Sequence, residues 1–509
     1  MTSTSRVRRF TLLALGTALG LGLALGPAEA QVKGGTLRVR LAGDLTSLDP
    51  AFNTTPPERH VLHQVLNTLV GVDDKLHVVP ELAESWKWEG DTTLTLKLKK
   101  GIKFHDGTDF DAAAVKFNID RLLDPETKSR MRGEIGEVKA VEVVDSHTVR
   151  FLLKYPSVGL LATLAQAPGM ILSPASIKKL GKDVARQPVG TGPFKFVEWM
   201  RDDHITVERF DGYWEKGLPH LDKIIFRPLP DTSVAVVNLK TNTLDLIDGV
   251  EPKDVAGVKA RRDLVYVESP GVNYYMIRLN MGQPPFDNKA VRQALAYSID
   301  RESIAKGVFF GTVPVAPGPI TPASWAYSKD LKGIGRDIPK AKALLAEAGK
   351  AGGVKFEMQL PPSPLFVRLG EVIKAQAAEA GLDITLSTTE GGKMMANSLS
   401  LNYQAMLSFR TGREDPDGST YRDFHSEGPF NRMKYNNPRM DALLVKARST
   451  FSQEERKALY LQIQQLVIED APMVFLVVMP TGQAMTAKLK GFTHFPTMDL
   501  YLKSTWLEK

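Results

Sequence analysis

The apolar residues of this chain keep two different rhythms, and the change from one to the other constrains the fold more than any single motif does. In the first half Leu37, Val39 and Leu41 alternate with polar neighbours and run into Leu48-Asp49-Pro50. Leu94, Leu96 and Leu98 do the same before Gly101, and Val149, Phe151 and Leu153 before Tyr155-Pro156. A period of two marks half-buried strands. In the second half Ala341, Leu344, Leu345 and Ala348 fall at i, i+3, i+4 and i+7, between Pro339 and Gly349. That spacing predicts an amphipathic helix with a glycine stop. Ser452-Gln453-Glu454-Glu455 reads as a capping box, with Ser452 capping orphan amides and Glu455 reaching back, ahead of a buried stripe of Leu459, Ile463, Leu466 and Val467. The apolar run Val474 to Met479 reads as a buried strand. Blocks of strands and helices over 509 residues exceed what one core supports, so an α/β protein of two or three domains is expected. Pro/Gly-rich stretches at 187–193, 282–285 and 311–322 mark connections, and no internal repeat is visible.

Residues 1–30 read as an address. Arg6, Arg8 and Arg9 precede the apolar run Leu12 to Leu25, and Ala28-Glu29-Ala30 supplies a small-x-small cleavage site. The run is shorter than the roughly 20 apolar residues of a membrane span. Arg8-Arg9 with Phe10 and Leu12 fits either the general or the twin-arginine export route. With no cysteine in the chain there is no lipid-bearing N-terminal Cys and no disulfide. The expectation is a periplasmic protein that is not a lipoprotein. Cleavage removes three arginines and one glutamate, lowering the formal charge from +7 to +5. Clusters such as Lys97-Lys99-Lys100-Lys103 lie in a strand pattern and read as a solvated face, not a nucleic-acid site.

Catalytic and cofactor motifs find little support. No G-x-S-x-G elbow or P-loop occurs, and Gly190-Thr191-Gly192-Pro193 reads as a structural turn. His60 and His63 stand at i, i+3, but no third ligand completes a set, and a plain helix surface is the expected setting. His105-Asp106-Gly107 reads as a turn in which Asp-Gly supplies the positive φ and the histidine is a neighbour by position only. No metal, no cofactor and no enzymatic activity are expected.

A series of segments resembles extracellular solute-binding family 5, the dipeptide, oligopeptide and nickel binding proteins of ABC importers. The segments are Gly34 to Leu37 with Ser47-Leu48-Asp49-Pro50, Val79 to Trp86, Gly101 to Gly107 followed by Ala113 to Asn118, Val189 to Phe194, Asp211-Gly212-Tyr213-Trp214, and Asp287 to Arg301. Each is weak alone, and together in this order they are specific. The resemblance implies a type II periplasmic binding protein-like α/β fold, two large lobes with a hinge plus a smaller inserted domain. Its divisions would be a signal peptide at 1–30, lobe I at 31–68, 173–277 and 481–509, the inserted lobe II at 69–172, and lobe III at 278–480. It also implies a ligand held between lobes I and III and a closed form, likewise implied to be a monomer, that docks on the permease subunits of the inner membrane.

In peptide-binding members an aspartate in the stretch matching Gly412 to Gly418 pairs with the ligand's α-ammonium, which makes Asp415 and Asp417 candidates here. The bland alternative is a solvated Asx turn over Asp-Pro-Asp-Gly. Where many relatives carry an aromatic, this chain has Arg410. With Arg413 and Arg368 it could hold an anionic ligand group, or it could pair internally with Glu414 or Asp423. Tyr274, Tyr275 and Trp325 could line the cleft, although adjacent strand residues face opposite ways and one tyrosine would then belong to the core. Thr55 completes the set, because the loop Thr54 to Arg59 matches the stretch with which relatives contact the ligand through backbone groups. A short peptide or related zwitterionic or anionic molecule is the first expectation for the ligand. A nickel chelate near His60, His63 or His425, or an opine or glutathione-like compound, is the alternative on the same scaffold. A secreted hydrolase and a periplasmic chaperone are the readings from other classes.

Overall fold

A computed structural model describes residue 1 and residues 33–52 and 55–509. The signal peptide expected at 1–30 lies outside the described residues, apart from Met1. No helix among the described residues is long and apolar enough to cross a membrane.

Three sheets organise the chain. The first has seven strands in the order Leu264–Val267, Gln483–Thr486, Leu246–Asp248, Thr36–Leu41, Lys223–Pro228, His204–Arg209, Phe194–Met200. Thr36–Leu41 runs parallel to both of its neighbours, and its Leu37, Val39 and Leu41 are fully buried, as their alternation requires. The sheet therefore joins the beginning, the middle and the end of the sequence. The second is an antiparallel sheet, Ala83–Trp88, Thr93–Leu98, Thr148–Leu153, Val138–Asp145. Leu94, Leu96, Val149 and Phe151 point into a core closed by the helix Ala112–Leu123, which Asp111 caps by accepting from the Ala114 amide.

The third sheet is mixed, in the order Leu382–Thr388, Val354–Leu360, Ala405–Arg410, Pro270–Leu279, Met473–Pro480. Pro270–Leu279 straddles the border expected at 277/278, so that border falls inside one continuous strand. Met473–Pro480 is an edge strand, yet Val474, Leu476, Val477 and Val478 are fully buried, and Val315 makes a bridge to Val477. The predicted helix spans Ile338–Glu347, with Asp337 as its cap and Ala341 and Leu345 inward; Gly349 follows at a positive φ. Helix Gln453–Asp470 buries Leu459, Ile463, Leu466 and Val467. Only the serine half of its capping box forms: Ser452 accepts from the Glu455 amide at 3.3 Å, with no return bond among the described residues.

Two readings of histidine change. His60 and His63 are not on a helix surface. Helix Pro56–Val65 lies beneath the C-terminal segment, where His60 Nε2 meets the Met498 carbonyl at 3.1 Å and the His63 ring packs 4.5 Å from that of Tyr501. Burial lowers His63 to about 4, so it is neutral. His105 is more than a neighbour of its turn: its Nε2 contacts the Gly192 carbonyl at 2.9 Å, and its ring lies edge-on to Phe210. Gly192 itself packs where a Cβ would come 2.5 Å from the Gln64 carbonyl oxygen, which makes Gly190 to Pro193 the predicted structural turn.

Candidate functional site

The sequence places the connections of the four-stranded sheet and the segment 413–448 at opposite sides of one seam. A cavity of about 290 Å³ opens there. Glu134, Glu137, Tyr155 and Gln166 contribute one wall, Arg413 to Asp417 with Tyr421, Arg422 and Arg448 the other, and Arg59 reaches in from helix Pro56–Val65. The wall facing 413–448 comes chiefly from the inserted sheet's unit, with Arg59 the contribution from the helix packed under the C-terminal segment.

Hydrogen bonds hold the seam closed. The Gln166 amide donates to Glu414 Oε1 at 2.7 Å, and the Val158 amide to the Arg448 carbonyl at 3.0 Å. Glu134 Oε1 receives two guanidinium groups, Arg422 at 2.8 Å and Arg413 at 3.3 Å. At the base of the site Arg59 Nε donates to Asp499 Oδ1 at 2.7 Å. Burial raises the Asp499 carboxyl, and the charge of Arg59 overrides it, leaving the group at about 2. Glu414 has no such ion pair among the described residues, and burial pushes it up to about 7, with Arg413 only partly offsetting. Burial likewise raises Glu137, which accepts from the Ser157 hydroxyl.

Of the candidate residues, Asp415, Asp417 and Arg413 line the cavity. Neither aspartate is a free counter-charge. Asp415 is held in a two-pronged pair by Arg456, at 2.9 and 2.6 Å, and Asp417 by Arg448 at 2.7 Å. The turn of the bland alternative also forms, since the Asp417 amide donates to Asp415 Oδ1, but both carboxylates are buried against arginine instead of solvated.

The remaining candidates lie elsewhere, each for a physical reason. Arg410 is buried and pairs with Asp423 at 2.5 Å, the internal alternative. Arg368 is exposed on helix Pro364–Ala378. Tyr274 and Tyr275 are both core residues on opposite faces of their strand: Tyr274 packs beside Phe475, and Tyr275 between Phe309 and Phe366. Trp325 is half-buried and supports the Asp415 pair from behind, 5.1 Å from the Arg456 guanidinium. Thr55 stands at the N-cap position of helix Pro56–Val65, a helix expected to be loop as far as Arg59, and its hydroxyl bonds to the Glu58 carboxylate instead of capping an amide. Gln166, Glu134, Arg422 and Arg448 escaped the sequence reading. Their partners are remote in sequence, and only the Gly412 to Gly418 loop carried a local signal.

Residues 77–431 match the family described as bacterial extracellular solute-binding proteins, family 5 Middle. The chain belongs to this family. The glutathione-binding protein GsiB of Pectobacterium atrosepticum is 33% identical over 474 residues, covering 90% of this chain and 91% of the relative. Among solved structures, the ABC transporter-associated periplasmic binding protein DppA from Helicobacter pylori, in complex with the peptide STSA, superposes with a TM-score of 0.84 at 27% identity, covering 94% of this chain and 99% of that one. The binding protein AgaA from A.tumefacien R10, in complex with agropinic acid, gives 0.83 at 28% identity, covering 93% and 99%. This family 5 protein thus has the type II binding-protein fold. The family and these relatives are binding proteins rather than enzymes, and the Helicobacter pylori protein is ABC transporter-associated.

Proposed function

We propose that this family 5 protein captures a short peptide or a related zwitterionic or anionic molecule in the seam cavity and delivers it to the permease of an ABC importer. It would reach the periplasm on its cleaved leader and act there as a monomer, dividing into the lobes at 31–68/173–269/481–509, 69–172 and 270–480, with the border moved from 277/278 to the start of the strand Pro270–Leu279. The observation that carries this reading is the cavity itself. It is closed by bonds between units that are separate in the fold, it carries both signs of charge, and at about 290 Å³ it lies near the lower end of the range for small-molecule sites. Peptide, glutathione and agropinic acid, named for the relatives, are all small acids, and most carry an amine as well.

Binding of this kind needs no bond chemistry. Ligand contacts complete only when Gln166 and Glu134 meet the 413–422 segment, so a ligand bridging both walls draws the population to the closed form. The nickel-chelate alternative gains nothing here, because His60 and His63 are packed under the C-terminal segment and the His425 ring stacks on Tyr421 at 4.4 Å.

Native mass spectrometry of the mature protein before and after refolding tests the proposal, followed by calorimetric titration with glutathione, di- to tetrapeptides and opine acids. A discrete small-molecule adduct lost on refolding, or saturable binding with one site per chain, is the expected result. Binding of unfolded chains without fixed stoichiometry would replace the clamp with a chaperone.

A further inference from the structure

Behind the seam three arginines pack against Phe430, and Arg278 and Arg413 stand beside them. Arg410, Arg422 and Arg432 place their guanidinium carbons 5.4, 4.0 and 4.9 Å from the ring centroid. Arg413 shares the Glu134 oxygen with Arg422, and Arg278 lies on the same face of its strand as Tyr274, the residue paired with Arg410. Two carboxylates bond to this group, Asp423 to Arg410 and Glu134 to Arg413 and Arg422. Five cations and two anions leave a surplus of positive charge in a place where Arg278, Arg410 and Arg422 are each at least nine-tenths buried.

The hydrogen-bond census agrees with the charge. Each of the five arginines has at least one buried N–H with no partner among the described residues: Nε of Arg278, Arg413 and Arg432, Nη2 of Arg410, and both Nε and Nη1 of Arg422. Buried donors of this strength are normally satisfied, and an unpaired guanidinium is costly to bury. The strain registers on Arg422, which burial and the neighbouring charge of Arg413 pull down to about 9 even with Glu134 in contact. Arg413 and Arg422 form the edge of the cluster that lines the cavity.

We infer that this arginine cluster is an anion-recognition subsite of the clamp, and that it selects ligands carrying two or more carboxylates. The inference rests on the proposed capture of a peptide-like molecule and narrows it to an acidic one. Planar guanidinium forks match carboxylate oxygens bidentately, and a second carboxylate is what the surplus charge accommodates after the first. A neutral or singly charged peptide of the same shape would leave the cluster uncompensated.

The test compares glutathione, its diethyl ester and trialanine by calorimetry, in the wild type and in Arg413→Gln and Arg422→Lys. In parallel, citrate is measured by thermal shift against sodium chloride at equal ionic strength. Glutathione is expected to bind about ten-fold or more tightly than its diester, with both substitutions erasing that preference. Equal affinity for acid and ester in the wild type, with no citrate effect beyond chloride, would overturn the subsite while leaving the clamp standing. If no peptide binds but citrate raises the melting temperature of the wild type and not of Arg413→Gln, capture of peptides falls and the anion subsite stands. If neither peptides nor citrate has any effect, both are wrong.

Discussion

Gln166 and Glu414 lie 248 residues apart and meet across the seam, the amide donating to a buried carboxyl oxygen at 2.7 Å. The proton on that carboxyl makes closure sensitive to pH. Arg413, Arg59 and Asp499 face Glu414, and burial still prevails, raising it from an ordinary 4.5 to about 7. A carboxyl raised in the folded state favours folding while it keeps its proton. Stability from this group is therefore greatest below about pH 4.5, declines as pH rises to about 7, and is flat beyond, a change of roughly 3 kcal/mol at most. Asp499, held near 2, contributes in the opposite sense only at much lower pH. Urea denaturation at pH 5 and pH 8 should show the wild type losing stability with rising pH and Glu414→Gln losing much less. Parallel slopes would remove Glu414 as the cause.

Asp415 and Arg456 form the two-pronged pair under the loop, with the Tyr460 hydroxyl accepting from the same guanidinium at 3.0 Å. Asp415→Asn strands a buried guanidinium and is expected to cost about 3–5 kcal/mol. The double substitution Asp415→Leu with Arg456→Met removes both charges and should recover most of that loss. A guanidinium chloride melt of the wild type, Asp415→Leu, Arg456→Met and the double closes the cycle. Additive singles would show that the two side chains do not act as a pair.

The fold was legible in this sequence where burial follows a local period. Leu94, Leu96 and Leu98 could only make a strand, and Ala341 and Leu345 only a helix face. The site was legible at the Gly412 to Gly418 loop and little beyond it. Nothing near Asp417 announces that Arg448, 31 residues later, will neutralise it, since ion pairs between helices carry no period. Tyr274 and Tyr275 misled for the complementary reason. Alternation says that adjacent residues face opposite sides, and it does not say that a sheet covered on both faces will bury them both.

Gly159 fits the seam because it has no side chain: a Cβ there would lie 3.2 Å from Asp417 Cβ. Gly159→Leu should act as a wedge, keeping each unit folded while disfavouring the closed form. Since apparent affinity scales with the fraction of competent molecules, a closed population reduced to a tenth weakens binding about ten-fold. Small-angle scattering should report a larger radius of gyration, with the unfolding midpoint little changed. An unchanged radius with unchanged affinity would mean that the seam does not close on ligand.

Gly412 sets the position of the whole Gly412 to Gly418 loop. A Cβ at this residue would lie 2.1 Å from the Val272 carbonyl oxygen, inside any allowed contact, and the obstruction is backbone of the strand Pro270–Leu279 that cannot swing aside. The Gly412 amide also donates to Asn273 Oδ1 at 2.9 Å, so the loop is fastened to that strand at its first residue. Gly412→Ala must therefore move the loop, carrying Arg413, Glu414, Asp415 and Asp417 away from Glu134, Gln166 and the helix arginines together. A loss of about 2–4 kcal/mol is expected, in the range of overpacking and broken buried pairs, accompanied by loss of ligand binding. Gly391→Ala is the control, because nothing lies within 4 Å of its Cβ position at the start of helix Gly391–Ser400, and it should be neutral or stabilising by a few tenths of a kcal/mol. Chemical denaturation and calorimetry of both variants decide the matter: if Gly412→Ala binds and unfolds like Gly391→Ala, the loop is not held by that contact.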